Sequence, residues 1–193
     1  AMAAAVAAEP KGVGAHLGLG QVLFAQGKRA EAEAALKAAM AAEPELADGR
    51  LALAALFAQT QRLDDAIATL EAFPAKRSGP VLYGGDLRVL LFLADLYNEK
   101  NMPDRSITLL DPVAKQHPDF ALGRLALGTA YLWKREYGKA IQELETGARL
   151  APNDAMAQVR LGTAYLSADR ATDALAAFDK ATAADPALRR QVR

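Results

Sequence analysis

Cysteine is absent from this chain of 193 residues, and the formal net charge is zero. Without cysteine there are no disulfides, thiolate zinc sites or cysteine nucleophiles, and both the cytoplasm and the periplasm stay compatible with the chain. Lysine plus arginine equals aspartate plus glutamate at 23 each, so no global field attracts a nucleic acid or an anionic membrane. The longest apolar runs, such as residues 51–58, are too short for the ~18 residues of a membrane-spanning helix.

Aromatic residues are also scarce, at 6% of the chain, although hydrophobic residues make up 52% of it. Most of the hydrophobic residues are alanine and leucine, which favour helices, and β-branched residues are few. The composition therefore predicts an all-α protein with enough apolar side chains for a buried core.

Residues that usually carry catalysis are few and poorly spaced. His16 and His117 are the only imidazoles, and neither lies in a metal-binding motif. The glycines of residues 12–20 miss the spacing of a dinucleotide-binding loop, and no strand precedes them. Two carboxylate pairs begin predicted helices, Asp64 with Asp65 and Asp169 with Asp173. Acids there complement the helix dipole, so we predict no metal, no cofactor and no enzyme.

One hexapeptide, LGTAYL, occurs twice, at residues 127–132 and 161–166, and the copies are 34 residues apart. The glycine of each copy is followed 24 residues later by a proline. A glycine near the start of the chain is also followed by a proline at this distance. These pairs are Gly128 with Pro152, Gly162 with Pro186, and Gly20 with Pro44. The chain therefore contains internal repeats.

Five repeats follow when the segments are aligned on this period. The distance from Pro44 to Pro118 is 74 residues, which is two periods plus six, so one repeat carries an insertion. The predicted repeats are residues 13–46, 47–86 with the insertion, 87–120, 121–154 and 155–188. Within each repeat, small residues recur where two helices would cross, which permits close backbone approach.

This pattern resembles the tetratricopeptide repeat (TPR) family, and the resemblance covers almost the whole chain. The last repeat matches best, with Leu161, Gly162, Tyr165, Ala174, Phe178, Ala181 and Pro186 on the family pattern. The family's early tryptophan is absent from all five repeats, and Gly147 stands where alanine is usual. The resemblance implies a right-handed α-solenoid of helix-turn-helix repeats, with partial helices at both ends.

Each repeat is expected to hold a first and a second helix. First helices are predicted near residues 13–26, 47–60, 86–99, 121–134 and 155–168. Second helices are predicted near residues 29–42, 63–73, 103–116, 137–150 and 171–184. Gly27 is placed to cap a first helix, and prolines stop the second helices.

First helices line a concave groove in this family, so the resemblance implies a protein or peptide partner there. The predicted contact residues are Leu17, Gln21, Phe24, Leu51, Leu91, Asp95, Asn98, Leu125, Thr129, Leu132, Trp133 and Thr163. The same stripe contains Ala55, Ala58, Val159 and Leu166. An alternative is that its leucines only pack against the next repeat, and that Trp133 is buried there rather than anchoring a partner.

Two other features leave functions open. The insertion at residues 74–86, with Lys76, Arg77 and Tyr83, is either a connector or a partner contact. Neither end supplies an obvious polar capping helix, so we expect a fragment of a longer array.

The leading hypothesis for the function is a protein-interaction scaffold. The alternative is a self-assembling array whose end faces form homo-oligomers, and the composition has a likeness to bacterial repeat proteins of envelope or exopolysaccharide export.

Overall fold

The computed structural model describes the backbone of residues 12–73 and 84–190, and the side chains of residues 12–73 and 87–188. In these ranges the chain is helical apart from turns, as the composition predicts. The described helices are α1 (Val13–Ala25), α2 (Arg29–Ala42), α3 (Ala47–Gln59), α4 (Leu63–Glu71), α5 (Gly84–Glu99), α6 (Pro103–Gln116), α7 (Ala121–Trp133), α8 (Tyr137–Leu150), α9 (Ala155–Ser167), α10 (Ala171–Ala184) and a 3-10 turn at Pro186–Arg190.

Odd-numbered helices are the first helices of the repeats, and even-numbered helices are the second. Each of the ten helices predicted for the five repeats is present, and its ends lie within about two residues of the prediction, the usual uncertainty of a helix boundary. Helices α1 and α2 pack together, as do α3 and α4, α7 and α8, and α9 and α10. The predicted all-α fold of paired helical repeats is therefore confirmed.

The turn between the two helices has the same backbone in all five repeats. One residue per turn has a positive φ: Gly27 (77°), Gln61 (62°), Asn101 (57°), Arg135 (63°) and Asp169 (58°). The next amide donates back into the first helix, as from Arg62 N to the Phe57 carbonyl at 2.8 Å. This is the Schellman arrangement, in which a left-handed residue satisfies the last carbonyls of a helix. Gly27 therefore caps α1 as predicted, and four side chains tolerate the same strained geometry.

Replacing Arg135 with glycine should stabilise the protein, because glycine adopts a positive φ without the steric cost that a side chain meets. We expect the free energy of unfolding to rise by about 0.5 to 1 kcal/mol, after the greater freedom of glycine in the unfolded chain is subtracted. Urea unfolding followed by circular dichroism measures this change. Arg149→Gly, in the last turn of α8, removes the same charge from ordinary helical backbone and should destabilise instead. A lower midpoint for Arg135→Gly would contradict the expectation.

Small residues permit the close crossing of each helix pair. A Cβ added at Gly128 would lie 2.6 Å from Leu144 Cγ, and one added at Gly162 would lie 2.5 Å from Phe178 Cε1. Gly20 has the same relation to Leu36, at 2.6 Å from its Cδ2. The repeated glycine therefore makes room for the large apolar side chain of the second helix.

The chain divides into two compact units, Ala1–Leu96 and Tyr97–Arg193. The N-terminal unit contains α1 to α4 and most of α5, and the C-terminal unit contains α6 to α10. The core cluster of the C-terminal unit consists of Leu125, Ile141, Leu144, Ala148, Ala157, Leu161, Ala164 and Ala177. It joins helices of repeats 4 and 5, so neighbouring repeats share one core within this unit. The prediction of a single solenoid domain over residues 1–193 stays a prediction.

Some predictions concern residues that the structure does not describe. The insertion loop, including Lys76, Arg77 and Tyr83, and the helix expected at residues 1–8 lie outside the described ranges. At the other end, Pro186–Arg190 form a 3-10 turn where the sequence predicts the start of another first helix.

Among residues 12–73 and 84–190, no helix has the length and apolar character that a bilayer crossing requires.

Candidate functional site

The predicted contact residues differ in how far they reach the surface. Gln21, Asp95, Trp133 and Thr163 are exposed, and Leu17, Phe24, Leu51, Leu91, Thr129 and Leu132 are partly buried. Asn98 and Leu125 are buried, at 2% and 1% exposure. Ten of the twelve residues therefore keep surface that a partner could touch.

Leu125 and Asn98 must be corrected as contact residues, because neither offers surface to a partner. Leu125 belongs to the core that joins repeats 4 and 5. It therefore packs against the next repeat, which was the alternative to a partner contact. A Cβ on Gly147 would lie 2.6 Å from Leu125 Cδ2, so the glycine that replaces the usual alanine makes space for this leucine. Asn98 is enclosed as well, and its Oδ1 accepts no hydrogen bond within the described part of the chain.

The exposed apolar surface of the C-terminal unit is concentrated on α7 and α9. Leu122 is 50% exposed and Trp133 49% on α7, and Met156 is 50% exposed and Leu166 56% on α9. Trp133 is therefore a surface residue, and the alternative that it is buried is wrong. With Thr129 and Thr163, these four side chains form what we call the α7–α9 face: Leu122, Thr129, Trp133, Met156, Thr163 and Leu166.

Helical spacing and helix contact bring these six residues to one surface. Leu122, Thr129 and Trp133 are separated by seven and four residues, which places them on one side of α7. Met156 and Thr163 occupy the same positions on α9, one repeat later. The two first helices also contact each other directly. The face therefore consists of residues on two helices that contact each other, in repeats 4 and 5.

Sequence reasoning missed Leu122 and Met156, although a signal was present. They occupy the second position of their repeats, where the three earlier repeats have Gly14, Asp48 and Arg88. Arg88 Nη2 and Asp48 Oδ1 form an ion pair at 2.8 Å in the N-terminal unit. A change from glycine or a charged residue to a large apolar residue at one repeat position therefore marks the face, but only a comparison of the repeats position by position would detect it.

The two threonines present mainly acceptor atoms and methyl groups. Thr129 Oγ1 donates to the Leu125 carbonyl at 2.8 Å, and Thr163 Oγ1 donates to the Val159 carbonyl at 2.9 Å. Because each hydroxyl proton is used within its own helix, the oxygen lone pairs remain available. A partner would meet apolar side chains separated by hydrogen-bond acceptors.

Ion pairs and hydrogen bonds hold the ends of both first helices in place. Lys134, next to Trp133, pairs with Asp104 at 2.8 Å and with Glu136 at 2.9 Å, and these bonds raise its pKa. The Tyr165 hydroxyl donates to Glu145 Oε1 at 2.6 Å. Burial, and then this hydrogen bond, raises the pKa of Tyr165 to about 12. Through this hydrogen bond the tyrosine links α9 to α8.

No cluster of three or more histidine, aspartate or glutamate side chains in the described ranges is arranged to hold a metal ion. The acids of the second helices serve the helix ends instead. Asp65 and Asp173 lie in the first turns of α4 and α10, and each accepts from the arginine three residues earlier, at 2.6 Å and 2.7 Å. The structure therefore shows ion pairs in these first turns, and the favourable interaction with the helix dipole stays a prediction.

Comparison with family models identifies the repeats. One tetratricopeptide repeat model matches residues 23–81, and a second matches residues 1–36, 90–154 and 125–188. The second model alone covers more than half of the chain. No curated protein matches the sequence of the chain significantly.

Solved structures share the fold at low sequence identity. YrrB, described as "a TPR protein with an unusual peptide-binding site", is 16% identical, with a TM-score of 0.61 over 100% of this chain and 95% of that one. TTC0263, a thermophilic TPR protein of Thermus thermophilus, is 22% identical, with a TM-score of 0.70 over 94% and 97%. MamA of Desulfovibrio magneticus RS-1, from residue 41 onwards, is 16% identical, with a TM-score of 0.68 over 92% and 97%. These likenesses establish the fold alone.

Proposed function

The chain belongs to the tetratricopeptide repeat family, and on this premise we propose that it is a non-catalytic scaffold whose α7–α9 face binds a segment of another polypeptide. The observation that carries the proposal is the exposure of four large apolar side chains, about half or more of each, on two helices in contact. Contiguous apolar surface on a folded domain marks an interaction site. The peptide-binding site named for YrrB is consistent with such a role.

Trp133 is the strongest candidate anchor on this face. Tryptophan is enriched among residues that dominate binding energy, because its large ring buries much area at little cost in conformational entropy. Leu122 and Met156 add exposed aliphatic area near the beginnings of α7 and α9, whereas Trp133 is the last residue of α7. The threonine oxygens would accept hydrogen bonds from backbone amides of the bound segment. The proposed recognition therefore combines apolar burial with backbone hydrogen bonds.

Six of the predicted contact residues lie in the N-terminal unit, apart from the α7–α9 face. Leu17, Gln21, Phe24, Leu51, Leu91 and Asp95 keep exposed or partly buried surface on first helices. Among these, no large apolar residue is as exposed as those on the α7–α9 face. We therefore assign the proposed binding site to the C-terminal unit, and partner contacts at these six residues stay a separate prediction for the N-terminal unit.

Trp133→Ala should weaken peptide binding by about 30-fold, the change that corresponds to loss of a hot-spot residue. Peptides are first selected on the intact protein from a phage-displayed library of random dodecapeptides, and affinities are then measured by fluorescence polarisation. Leu175→Ala is the matched control, because Leu175 is 65% exposed on α10, away from the face. Failure to select any peptide, or equal affinities for Trp133→Ala and the control, would overturn the proposal.

We infer a second candidate function, self-association through the end faces, from two residues that are exposed although equivalents in other repeats are buried. Leu175 is 65% exposed, whereas Ile67 and Ile141, at the same repeat position, are 6% and 7% exposed. Val22 is 40% exposed, whereas its equivalent Ala164 is 0% exposed. Ile141 and Ala164 belong to one core cluster, so Leu175 of one copy and Val22 of another could form a contact of the same type.

Sedimentation velocity over a wide range of concentrations tests this second candidate. We expect the wild-type protein to associate with increasing concentration and Leu175→Lys to remain monomeric, because a charge at the contact would be buried without a partner. Trp133→Lys, on the α7–α9 face, should leave the association unchanged. A wild-type protein that stays monomeric throughout would exclude the end-face contact.

A further inference from the structure

On the surface assigned to the peptide, Arg160 is a cation that has no ionic partner among the side chains of residues 12–73 and 87–188. It is partly buried on α9, four residues after Met156 and three before Thr163, so all three share one side of the helix. Among the described side chains, no carboxylate lies within ion-pair distance of its guanidinium. An arginine that is partly removed from water and unpaired is a favourable place for an anionic group.

The other charged residue of these two helices is already satisfied. Arg124, on α7, forms an ion pair with Glu143 Oε2 at 2.8 Å and also donates to the Pro118 carbonyl at 3.2 Å. Arg124 and Arg160 are the only charged residues of α7 and α9, and neither helix contains a carboxylate. Within the part of the chain that the structure describes, the α7–α9 surface therefore has one positive charge without an ion pair, although the whole chain has a net charge of zero.

Repeat equivalence shows that this charge is specific to the last repeat. The position of Arg160 holds Ala126 in repeat 4, Phe92 in repeat 3, Ala52 in repeat 2 and Gly18 in repeat 1. Ala126 is 7% exposed, so the position adjoins the core at its base while the longer arginine reaches outward. Packing does not require an arginine here, because uncharged residues of different sizes fill the equivalent positions.

We propose that the bound segment carries a side-chain carboxylate, from aspartate or glutamate, beside its apolar anchors, and that Arg160 binds this carboxylate. This inference rests on the proposed peptide-binding function of the α7–α9 face and adds the chemistry of the partner. The guanidinium can form two parallel hydrogen bonds to one carboxylate, which sets the register of the segment on the helices. The apolar side chains supply most of the affinity, and the charge pair supplies the choice of partner.

Selection from the random dodecapeptide library tests this chemistry directly. The peptides are fused to the phage coat through their carboxyl ends. They therefore have no free C-terminal carboxylate, and only aspartate and glutamate side chains supply carboxylates. We expect selected peptides to be enriched in aspartate or glutamate at a constant distance from an aromatic or aliphatic residue. Peptides selected on Arg160→Gln should still be enriched in apolar residues, but no longer in aspartate or glutamate. Arg149→Gln, which removes a charge from the second helix α8, should retain both enrichments.

Affinities of one selected peptide then complete a double-substitution cycle. Arg160→Gln should weaken binding of the acidic peptide by about tenfold. A peptide whose carboxylate is replaced by the corresponding amide should bind the wild type and Arg160→Gln equally. Apolar peptides selected without acidic enrichment, or a tenfold loss that persists with the amide peptide, would overturn the inference and leave the proposed function standing. A library that yields no peptide would overturn both.

Discussion

Leu144→Ala is expected to lower the free energy of unfolding by about 2 to 5 kcal/mol, the range for removing a fully buried leucine from a well-packed core. Leu144 is 0% exposed, and its Cγ occupies the space left by the missing side chain of Gly128. Truncation removes contacts from both helices of repeat 4. It also weakens the shared cluster that includes Leu161 of repeat 5. The helices cannot close the cavity without losing their crossing geometry.

Urea unfolding monitored by circular dichroism and by Trp133 fluorescence measures the effect of Leu144→Ala. The matched control is Leu175→Ala, which deletes the same atoms from a side chain that is 65% exposed and should change stability by less than about 1 kcal/mol. In repeat proteins unfolding can proceed in steps, so both signals must be compared. Equal midpoints for the two variants would show that Leu144 does not support the core.

Gly49→Ala should destabilise the protein by about 1 to 2 kcal/mol, although alanine is the better helix former. A Cβ at this position would lie 2.9 Å from both the Cα and the N of Met40, which are backbone atoms of α2. A flexible side chain could move aside, but a helix backbone cannot do so without displacing its neighbours. The overpacking cost therefore exceeds the gain of up to about 1 kcal/mol in helix propensity.

The control for Gly49→Ala is Gly14→Ala, in the first helix of the preceding repeat. Nothing lies within 4 Å of the position that its Cβ would take, so only the propensity gain should remain. The two substitutions are chemically identical, and the expected changes in the urea midpoint have opposite signs. Stabilisation by both variants would mean that α2 and α3 separate at little cost.

The fold was largely predictable because its signals are local and repeated. The 34-residue period, the glycines at helix crossings and the terminating prolines recur along the chain. They predict the helices to within about two residues at each end, even where one repeat carries an insertion. The left-handed turns at Gln61 and Arg135 were not predictable from residue type. Neither side chain favours a positive φ, and the packing of the helix pair imposes it.

The site was less predictable because exposure depends on which neighbours a side chain meets. Leu125 and Leu166 belong to the same predicted stripe, yet one is 1% exposed and the other 56%. Gly147 accounts for the first result, since its missing side chain admits Leu125 to the core. The exposure of Trp133 and Met156 likewise depends on which residues pack beside them. The sequences of their own helices do not determine those neighbours.

The sequence by itself determined the class of protein: paired helices, their lengths, the positions of their turns and their membership of one repeat family. These properties follow from spacing and composition within about one period, where propensity and local hydrogen bonding act. The tertiary structure alone decided which members of the first-helix stripe face solvent. Among the described side chains it also left Arg160 without an ion-paired carboxylate, because burial and charge pairing depend on distances between side chains in different helices.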